Sequence, residues 1–122
     1  KLKEQNVDLY TLLNFEMLGV PMNYEFEIFL TGYNMSNMAQ KINEYAGTNL
    51  VGMSEGAEKY NLFKASDNYP FYQTFKIPSQ TVSAFDFSNF DYYHHPKDEF
   101  KELNNRISHY EALASCYIVF HF

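Results

Sequence analysis

Nearly continuous apolar and β-favouring residues run from Val7 to Phe15 near the start of the sequence. This composition is typical of a strand that helices cover on both faces, as in a parallel sheet. Gly19 and Pro21 then end the strand. Two further strands are predicted, one over Glu27–Thr31 and one over Ile77–Phe85, where apolar and polar residues alternate.

Helical spacing of apolar residues predicts a helix that begins after Ser36 or Asn37 and ends at Gly47, which suits a left-handed terminator. A shorter helix is predicted to run to Phe75, with Ser66 and Asp67 as candidate N-caps.

The remaining segments are predicted to be loops, a closing helix and the end of an earlier one. Residues 49–56 are interpreted as a loop, and Asp86–Asp98 as a long aromatic loop. An amphipathic helix is predicted beyond Asn104 or Asn105. Residues 1–6, basic in part, resemble the last turn of a helix, so we expect this chain to be a piece of a longer protein.

Alternation of strands and helices predicts a single α/β domain over residues 1–122 with a mostly parallel sheet. Such sheets bind ligands beyond the carboxyl ends of their strands. Glu16 directly follows the first predicted strand, and His94 follows the last one by a loop. Carboxylate and imidazole groups are both ligands for zinc. This end of the sheet is therefore the strongest candidate site that the residues alone indicate, although a solvated or capping carboxylate and an exposed histidine fit the same positions.

Composition limits the other possibilities. The net charge of −6, with nine Lys and Arg, leaves little to neutralise phosphates, so a nucleic-acid partner is not expected. No apolar stretch approaches the ~20 residues that span a bilayer. The single cysteine, Cys116, cannot form a disulfide within the chain.

Three segments together resemble the M28 family of zinc aminopeptidases over most of the chain. Residues 14–19 (Asn-Phe-Glu-Met-Leu-Gly) are similar to the family's Asn-x-Asp/Glu-Met-x-Gly. Residues 66–71 (Ser-Asp-Asn-Tyr-Pro-Phe) and 75–78 (Phe-Lys-Ile-Pro) are similar to Ser-Asp-His-x-Pro-Phe followed by Gly-Ile-Pro. Residues 93–98 (Tyr-His-His-Pro-Lys-Asp) are similar to Tyr-His-Thr-Pro-x-Asp.

The resemblance implies the C-terminal part of a three-layer α/β/α zinc-peptidase fold, of the phosphorylase/hydrolase-like type, with a peptide as substrate. It assigns Glu16 and His94 as ligands of two different zinc ions. Ser66, Asp67 and Tyr93 are expected to bind substrate or to support the metal ligands. Family members are often exported, so the resemblance also implies a periplasmic or secreted protein.

Departures from the family pattern are also visible. Asn68 stands where the family commonly has His, and Glu99 where Thr is usual, which we interpret as affecting substrate preference. The family's His-x-Asp and Glu-Glu pairs, which supply further ligands and the general base, do not occur in this sequence. We therefore expect no general base in this chain, little zinc bound to it alone, and self-association through an exposed sheet edge. A glutaminyl-cyclase-like acyltransferase and a non-catalytic binding domain of the same fold remain as alternatives.

Overall fold

Strands and helices alternate along residues 1–99, the part of the chain that this computed structural model describes. The strands are β1 (Leu12–Phe15), β2 (Ile28–Leu30), β3 (Val51–Gly52) and β4 (Ser79–Ser83), and the helices are α1 (Met38–Ala46), α2 (Glu55–Lys59), α3 (Leu62–Ala65) and α4 (Asn68–Phe75). A 3-10 turn over Tyr33–Met35 precedes α1. The predicted closing helix lies outside the described residues.

The four strands form one sheet in the order β1-β4-β2-β3. Within it, β1 pairs with β4 and β2 with β3 in parallel, whereas β2 and β4 are antiparallel. The prediction of a mostly parallel sheet is therefore confirmed. Because β1 and β4 are neighbours and run in the same direction, their carboxyl ends lie side by side, and this is the edge of the sheet where ligands are expected.

Helices cover both faces of this sheet. On one face, Ala39 and Ile42 of α1 pack against Ile28, Leu30 and Val82. On the opposite face, Phe29 packs with Ala57 of α2 and Leu62 of α3. The α/β fold class is confirmed as a layered arrangement, helix on sheet on helix. Within residues 1–99, no helix is long and apolar enough to cross a membrane.

The first strand differs from the prediction in two ways. It is more exposed than predicted, and it is shorter, since β1 begins at Leu12 and not at Val7. Its ladder with β4 starts where Leu12 pairs with Ser79, and the Leu12 N–H donates to the Pro78 carbonyl at 2.9 Å. Proline has no N–H to continue a ladder, so the residues before Leu12 have no strand to pair with. Phe15 is 47% exposed, so within the described sheet β1 is a half-buried edge strand and is not covered on both faces.

The last strand spans Ser79–Ser83 and not the predicted 77–85, and Pro78 accounts for its later start. The segment predicted as a loop over residues 49–56 contains β3 and the start of α2, and α3 was not predicted either. Ser54 marks the start of α2, since its hydroxyl accepts a hydrogen bond from the Ala57 N–H at 3.2 Å. Elements of two to five residues are too short to show a period in the sequence.

The ends of the predicted helices follow from local hydrogen bonds. Gly47 ends α1 with φ 69°, as predicted, and its N–H donates to the Asn43 carbonyl. At the other end, Asn37 holds the N-cap position without a side-chain bond, and the Ser36 hydroxyl accepts from the Met38 N–H at 3.1 Å.

Residues 1–6 form the end of a helical turn, which confirms that prediction. The Val7 N–H donates to the Leu2 carbonyl and the Asn6 N–H to the Lys3 carbonyl. Asn6 has a φ of 50°. This pattern of bonds around a left-handed residue is the Schellman motif that ends helices.

The outer edge of β3 is protected by a side chain of α1. The Val51 N–H donates to Asn43 Oδ1 and Asn43 Nδ2 donates to the Val51 carbonyl, both at 2.8 Å. The amide thus takes the place of a neighbouring strand and satisfies backbone groups at an edge that would otherwise attract other chains.

Replacing Asn43 with Ala leaves the buried Val51 backbone groups without these partners. We expect Asn43→Ala to lower the free energy of unfolding by about 1–3 kcal/mol, measured by urea denaturation. Gln40→Ala is the matched control, because Gln40 is exposed on the same helix and, among residues 1–99, its side chain bonds only the exposed Glu44. We expect the control to change by less than about 0.5 kcal/mol, and an Asn43→Ala loss no larger than that of the control would contradict this account.

Candidate metal centre

Glu16 lies where β1 ends at the sheet edge. Its N–H donates to the Val82 carbonyl at 3.1 Å, which extends the ladder one residue past Phe15. Met17 then takes a left-handed φ of 51°, and its carbonyl accepts from the Ala84 N–H at 3.3 Å. The backbone of Glu16 is therefore fixed on the last rung between β1 and β4.

Two side chains hold the Glu16 carboxylate, one at each oxygen. Ser66 Oγ lies 2.7 Å from Oε1, and Asn14 Nδ2 donates to Oε2 at 3.1 Å. Ser66 Oγ also lies 3.0 Å from the Leu62 carbonyl, but its single proton favours the charged acceptor. Each carboxylate oxygen keeps a further lone pair, and Glu16 is only half-buried. The carboxylate is thus suited to bind a metal ion.

The roles predicted for Ser66 and Asp67 separate in the structure. Ser66 is buried and contacts Glu16, as expected of a residue that supports a ligand. Asp67 holds the N-cap position of α4, as predicted, but its side chain makes no cap bond there. The Ser66 hydroxyl does not cap α4 either, because it faces Glu16, and only the Ser66 carbonyl accepts from the Tyr69 N–H at 3.1 Å. Asp67 is exposed, and its role near a substrate stays a prediction.

His94 is exposed within the aromatic loop that follows β4. It has a left-handed φ of 53°, and its ring lies 4.1 Å from the Tyr93 ring. The neighbouring His95 is occupied locally, since its Nδ1 accepts from the Lys97 N–H at 3.1 Å. Of the two histidines, His94 is the one whose ring nitrogens make no hydrogen bond within residues 1–99.

A buried carboxylate anchors the start of this loop. Asp86 Oδ1 accepts from the Ser88 N–H at 3.0 Å and from the Ser88 hydroxyl at 2.5 Å. The pKa of Tyr24, an exposed residue, is raised by partial desolvation and further by the Asp86 carboxylate, to which its hydroxyl donates. Gly56 lies so close that an added Cβ would be 2.8 Å from the Asp86 carbonyl oxygen. The loop that carries His94 therefore begins from a rigid point.

A pocket of about 120 Å³ opens between the ends of β1 and β4. It is lined by Met17, Val20, Phe85, Phe90 and Tyr93, with Asp98 as a carboxylate at its wall. The Tyr93 ring stacks on Phe85 at 4.7 Å and contacts Phe87 at 5.5 Å. Residues that follow Glu16 and residues that flank His94 thus share one mainly apolar pocket.

The predicted site residues are brought together in part. Glu16 and Ser66 are in contact, and Tyr93 lies beside His94. In the part of the chain that the structure describes, no hydrogen bond joins Glu16 to His94, and no group of three or more metal-binding side chains is assembled. The assignment of Glu16 and His94 as metal ligands therefore stays a prediction.

Buried polar residues behind Glu16 were not predicted to belong to the site. Asn68 is fully buried and bonded to the Ser79 carbonyl and to Thr81, so any effect it has on substrate preference is indirect and stays a prediction. Thr81 in turn accepts from Asn14 at 3.1 Å. The polar sequence of β4, Ser-Gln-Thr-Val-Ser, was the available signal, since a fully buried strand of this composition must satisfy its side chains internally.

Comparison with known proteins gives one match. No curated protein and no solved structure matches the chain. The family model described as Peptidase family M28 matches residues 2–118. That range includes Glu16, His94 and the segments around them. The chain belongs to peptidase family M28.

Proposed function

We propose that this chain contributes Glu16 and His94 as zinc ligands to an aminopeptidase that hydrolyses N-terminal peptide bonds. The observation that carries the proposal is the Glu16 carboxylate, held at the edge of the sheet by one hydrogen bond to each oxygen. Family M28 consists generally of metallopeptidases, and this chain belongs to it. Membership of a family does not by itself identify the functional residues. The geometry at Glu16 is therefore the stronger support.

Zinc, when bound, would polarise the peptide carbonyl and lower the pKa of a coordinated water. The chain's own residues then have simple roles. Glu16 offers a carboxylate oxygen, and Ser66 and Asn14 fix the direction of that carboxylate. His94 would offer a ring nitrogen. We assign the two residues to different zinc ions.

We propose further that residues 1–122 are the C-terminal half of the peptidase domain. A catalytic zinc normally takes three protein ligands and keeps one open position. Residues 1–99 assemble no such group. The remaining ligands and the general base would come from residues encoded before Lys1.

The experiment compares the 122-residue chain with a longer protein that includes those upstream residues. We expect the longer protein to release N-terminal amino acids from aminoacyl-nitroanilides, to lose activity with a chelator and to regain it with zinc. We expect the 122-residue chain to be inactive. Stoichiometric zinc on the short chain at micromolar metal, or activity of the longer protein that chelation leaves intact, would contradict the proposal.

Product analysis on a Gln-initiated peptide identifies the reaction. Free glutamine is the product of an aminopeptidase. A peptide that has lost ammonia and begins with pyroglutamate would instead identify a cyclase, and neither product would favour a binding domain.

The pocket beside Glu16 suggests an apolar first residue in the substrate. Its aromatic and aliphatic walls suit a side chain such as that of leucine, because burial of apolar surface is the main gain on binding. Tyr93 forms one wall and is 42% exposed.

Truncating Tyr93 should widen the pocket and weaken this preference. We expect Tyr93→Ala in the longer protein to lower the ratio of kcat/KM for Leu-initiated over Ala-initiated substrates by about tenfold. The ratio is informative because any disturbance of His94 affects both substrates alike. Tyr60→Ala is the control, since Tyr60 also contacts Phe87 but does not line the pocket. An unchanged ratio in Tyr93→Ala would show that Tyr93 does not contact the first residue of the substrate.

Asp67→Ala tests the other predicted substrate-binding residue. Full activity of this variant would show that Asp67 has no role in the site.

A further inference from the structure

A chain of hydrogen bonds runs through the interior of the domain to Glu16. We propose that Asn68, Thr81 and Asn14 form a directional relay that keeps an N–H donor aimed at Glu16 Oε2 and so positions the carboxylate. The relay itself is a property of the folded chain. Its consequence for metal binding rests on the proposed function of Glu16.

The direction of the relay is set at Asn68. Its Nδ2 donates to the Phe63 carbonyl at 3.1 Å and to the Ser79 carbonyl at 2.9 Å. Because carbonyls only accept, the amide cannot turn over without placing its own oxygen against two others. Asn68 is fully buried, so water cannot compensate for such a change. Its Oδ1 must therefore face Thr81.

The orientation of Asn68 fixes the hydroxyl of Thr81 on β4, which faces Asn14 on β1. Its hydroxyl lies 2.8 Å from Asn68 Oδ1, which accepts only, so the single hydroxyl proton of Thr81 points to Asn68. The Thr81 oxygen is then left as an acceptor. It faces Asn14 Nδ2 at 3.1 Å, which must be the donor.

Asn14 connects Thr81 to Glu16, the candidate metal ligand. Asn14 and Thr81 are register partners of β1 and β4, so their side chains meet directly across the ladder. The second proton of Asn14 Nδ2 donates to Glu16 Oε2 at 3.1 Å. A reversed Asn14 amide would place its oxygen against both the carboxylate and the Thr81 lone pairs. The relay therefore excludes the orientation that would repel Glu16.

The two oxygens of Glu16 are thus held by different means. Ser66 reaches Oε1 directly and can rotate its hydroxyl, with the Leu62 carbonyl as a second acceptor. Oε2 accepts from Asn14 Nδ2, and the orientation of that amide is fixed by the buried residues Thr81 and Asn68. We assign Asn68 and Thr81 as positioning residues, since neither touches the expected metal or substrate.

The test uses NMR on the 122-residue chain and on its Thr81→Val and Thr81→Ser variants. Valine keeps the shape of threonine and removes the hydroxyl, whereas serine keeps the hydroxyl. Thr31→Val is the matched control, because the Thr31 hydroxyl is equally buried and accepts from the Thr81 N–H at 3.0 Å but lies outside the relay. The observable is the Asn14 side-chain amide, whose two protons should be resolved and slow to exchange in the unaltered chain.

We expect Thr81→Val to lose this protection at Asn14, and Thr81→Ser and Thr31→Val to keep it. Zinc chloride is then titrated into the longer protein and into the same variants of it, while the Glu16 and His94 signals are followed. Thr81→Val should weaken zinc binding at Glu16 by about tenfold relative to Thr81→Ser.

Three results would overturn the relay: rapid exchange of the Asn14 amide protons in the unaltered chain, protection that persists in Thr81→Val, or equal loss in Thr31→Val. The first can be obtained even if Thr81→Val fails to fold. If Glu16 shows no response to zinc in the longer protein, the proposed function fails, and the amide measurement on the 122-residue chain still decides the relay.

Discussion

Replacing Glu16 with Gln is expected to lower kcat/KM for peptide hydrolysis at least about 1,000-fold in the longer protein, equivalent to about 4 kcal/mol of lost transition-state stabilisation. The change keeps the shape of the side chain and removes its charge, so zinc loses an anionic ligand. The Gln carbonyl can accept from Asn14, and its amide can donate to Ser66, whose hydroxyl then donates to the Leu62 carbonyl. The loss should therefore appear in activity and zinc content much more than in folding.

Glu27→Gln is the control for this substitution. Glu27 is exposed at the start of β2, and the change removes the same charge. We expect its kcat/KM and zinc content to match those of the unaltered protein. Full activity in Glu16→Gln, with zinc still bound, would contradict the assignment of Glu16 as a ligand.

Replacing Gly32 with Ala should have the largest effect on stability. Gly32 ends β2 with φ 58°, a conformation that costs about 1–2 kcal/mol for a residue with a Cβ. The added Cβ would also lie 2.6 Å from the Phe63 ring. The Gly32 backbone cannot easily move away, because its carbonyl accepts from Gln80 at 2.7 Å and from the Met35 N–H at 2.8 Å. We expect a loss of about 3–5 kcal/mol in the free energy of unfolding.

Gly47→Ala separates strain from collision. Gly47 has a similar φ of 69°, but a Cβ there meets nothing within 4 Å. Its cost should be about 1 kcal/mol, from the backbone alone. Both variants are compared by urea denaturation, and equal losses would show that Phe63 does not pack against Gly32 as described.

The sequence predicts the long elements and fails at the short ones for a physical reason. Helix α1 shows a clear helical period and a glycine terminator, and both are confirmed. The start of β1 was wrong because the length of a strand depends on its partner, and Pro78 limits that partner. β3 spans two residues and depends on Asn43 from another element, which no local pattern can indicate.

In the candidate site, too, the features carried by local sequence were predicted and those that depend on distant residues were not. Glu16 and Ser66 were found through motifs, and their contact at 2.7 Å agrees with that interpretation. The relay through Asn68 and Thr81 was missed because it depends on the register that places Thr81 beside Asn14. Register is set by pairing across 67 residues of sequence, which local reasoning does not reach.

The most direct test of the central claim is a crystal structure of the longer protein soaked with zinc, with the metal located by anomalous scattering. We predict two zinc ions about 3.5–4 Å apart, one bound by the Glu16 carboxylate and the other by the His94 imidazole, each at about 2.0–2.2 Å. Zinc found only at other residues, with Glu16 and His94 both in contact with solvent alone, would contradict the account.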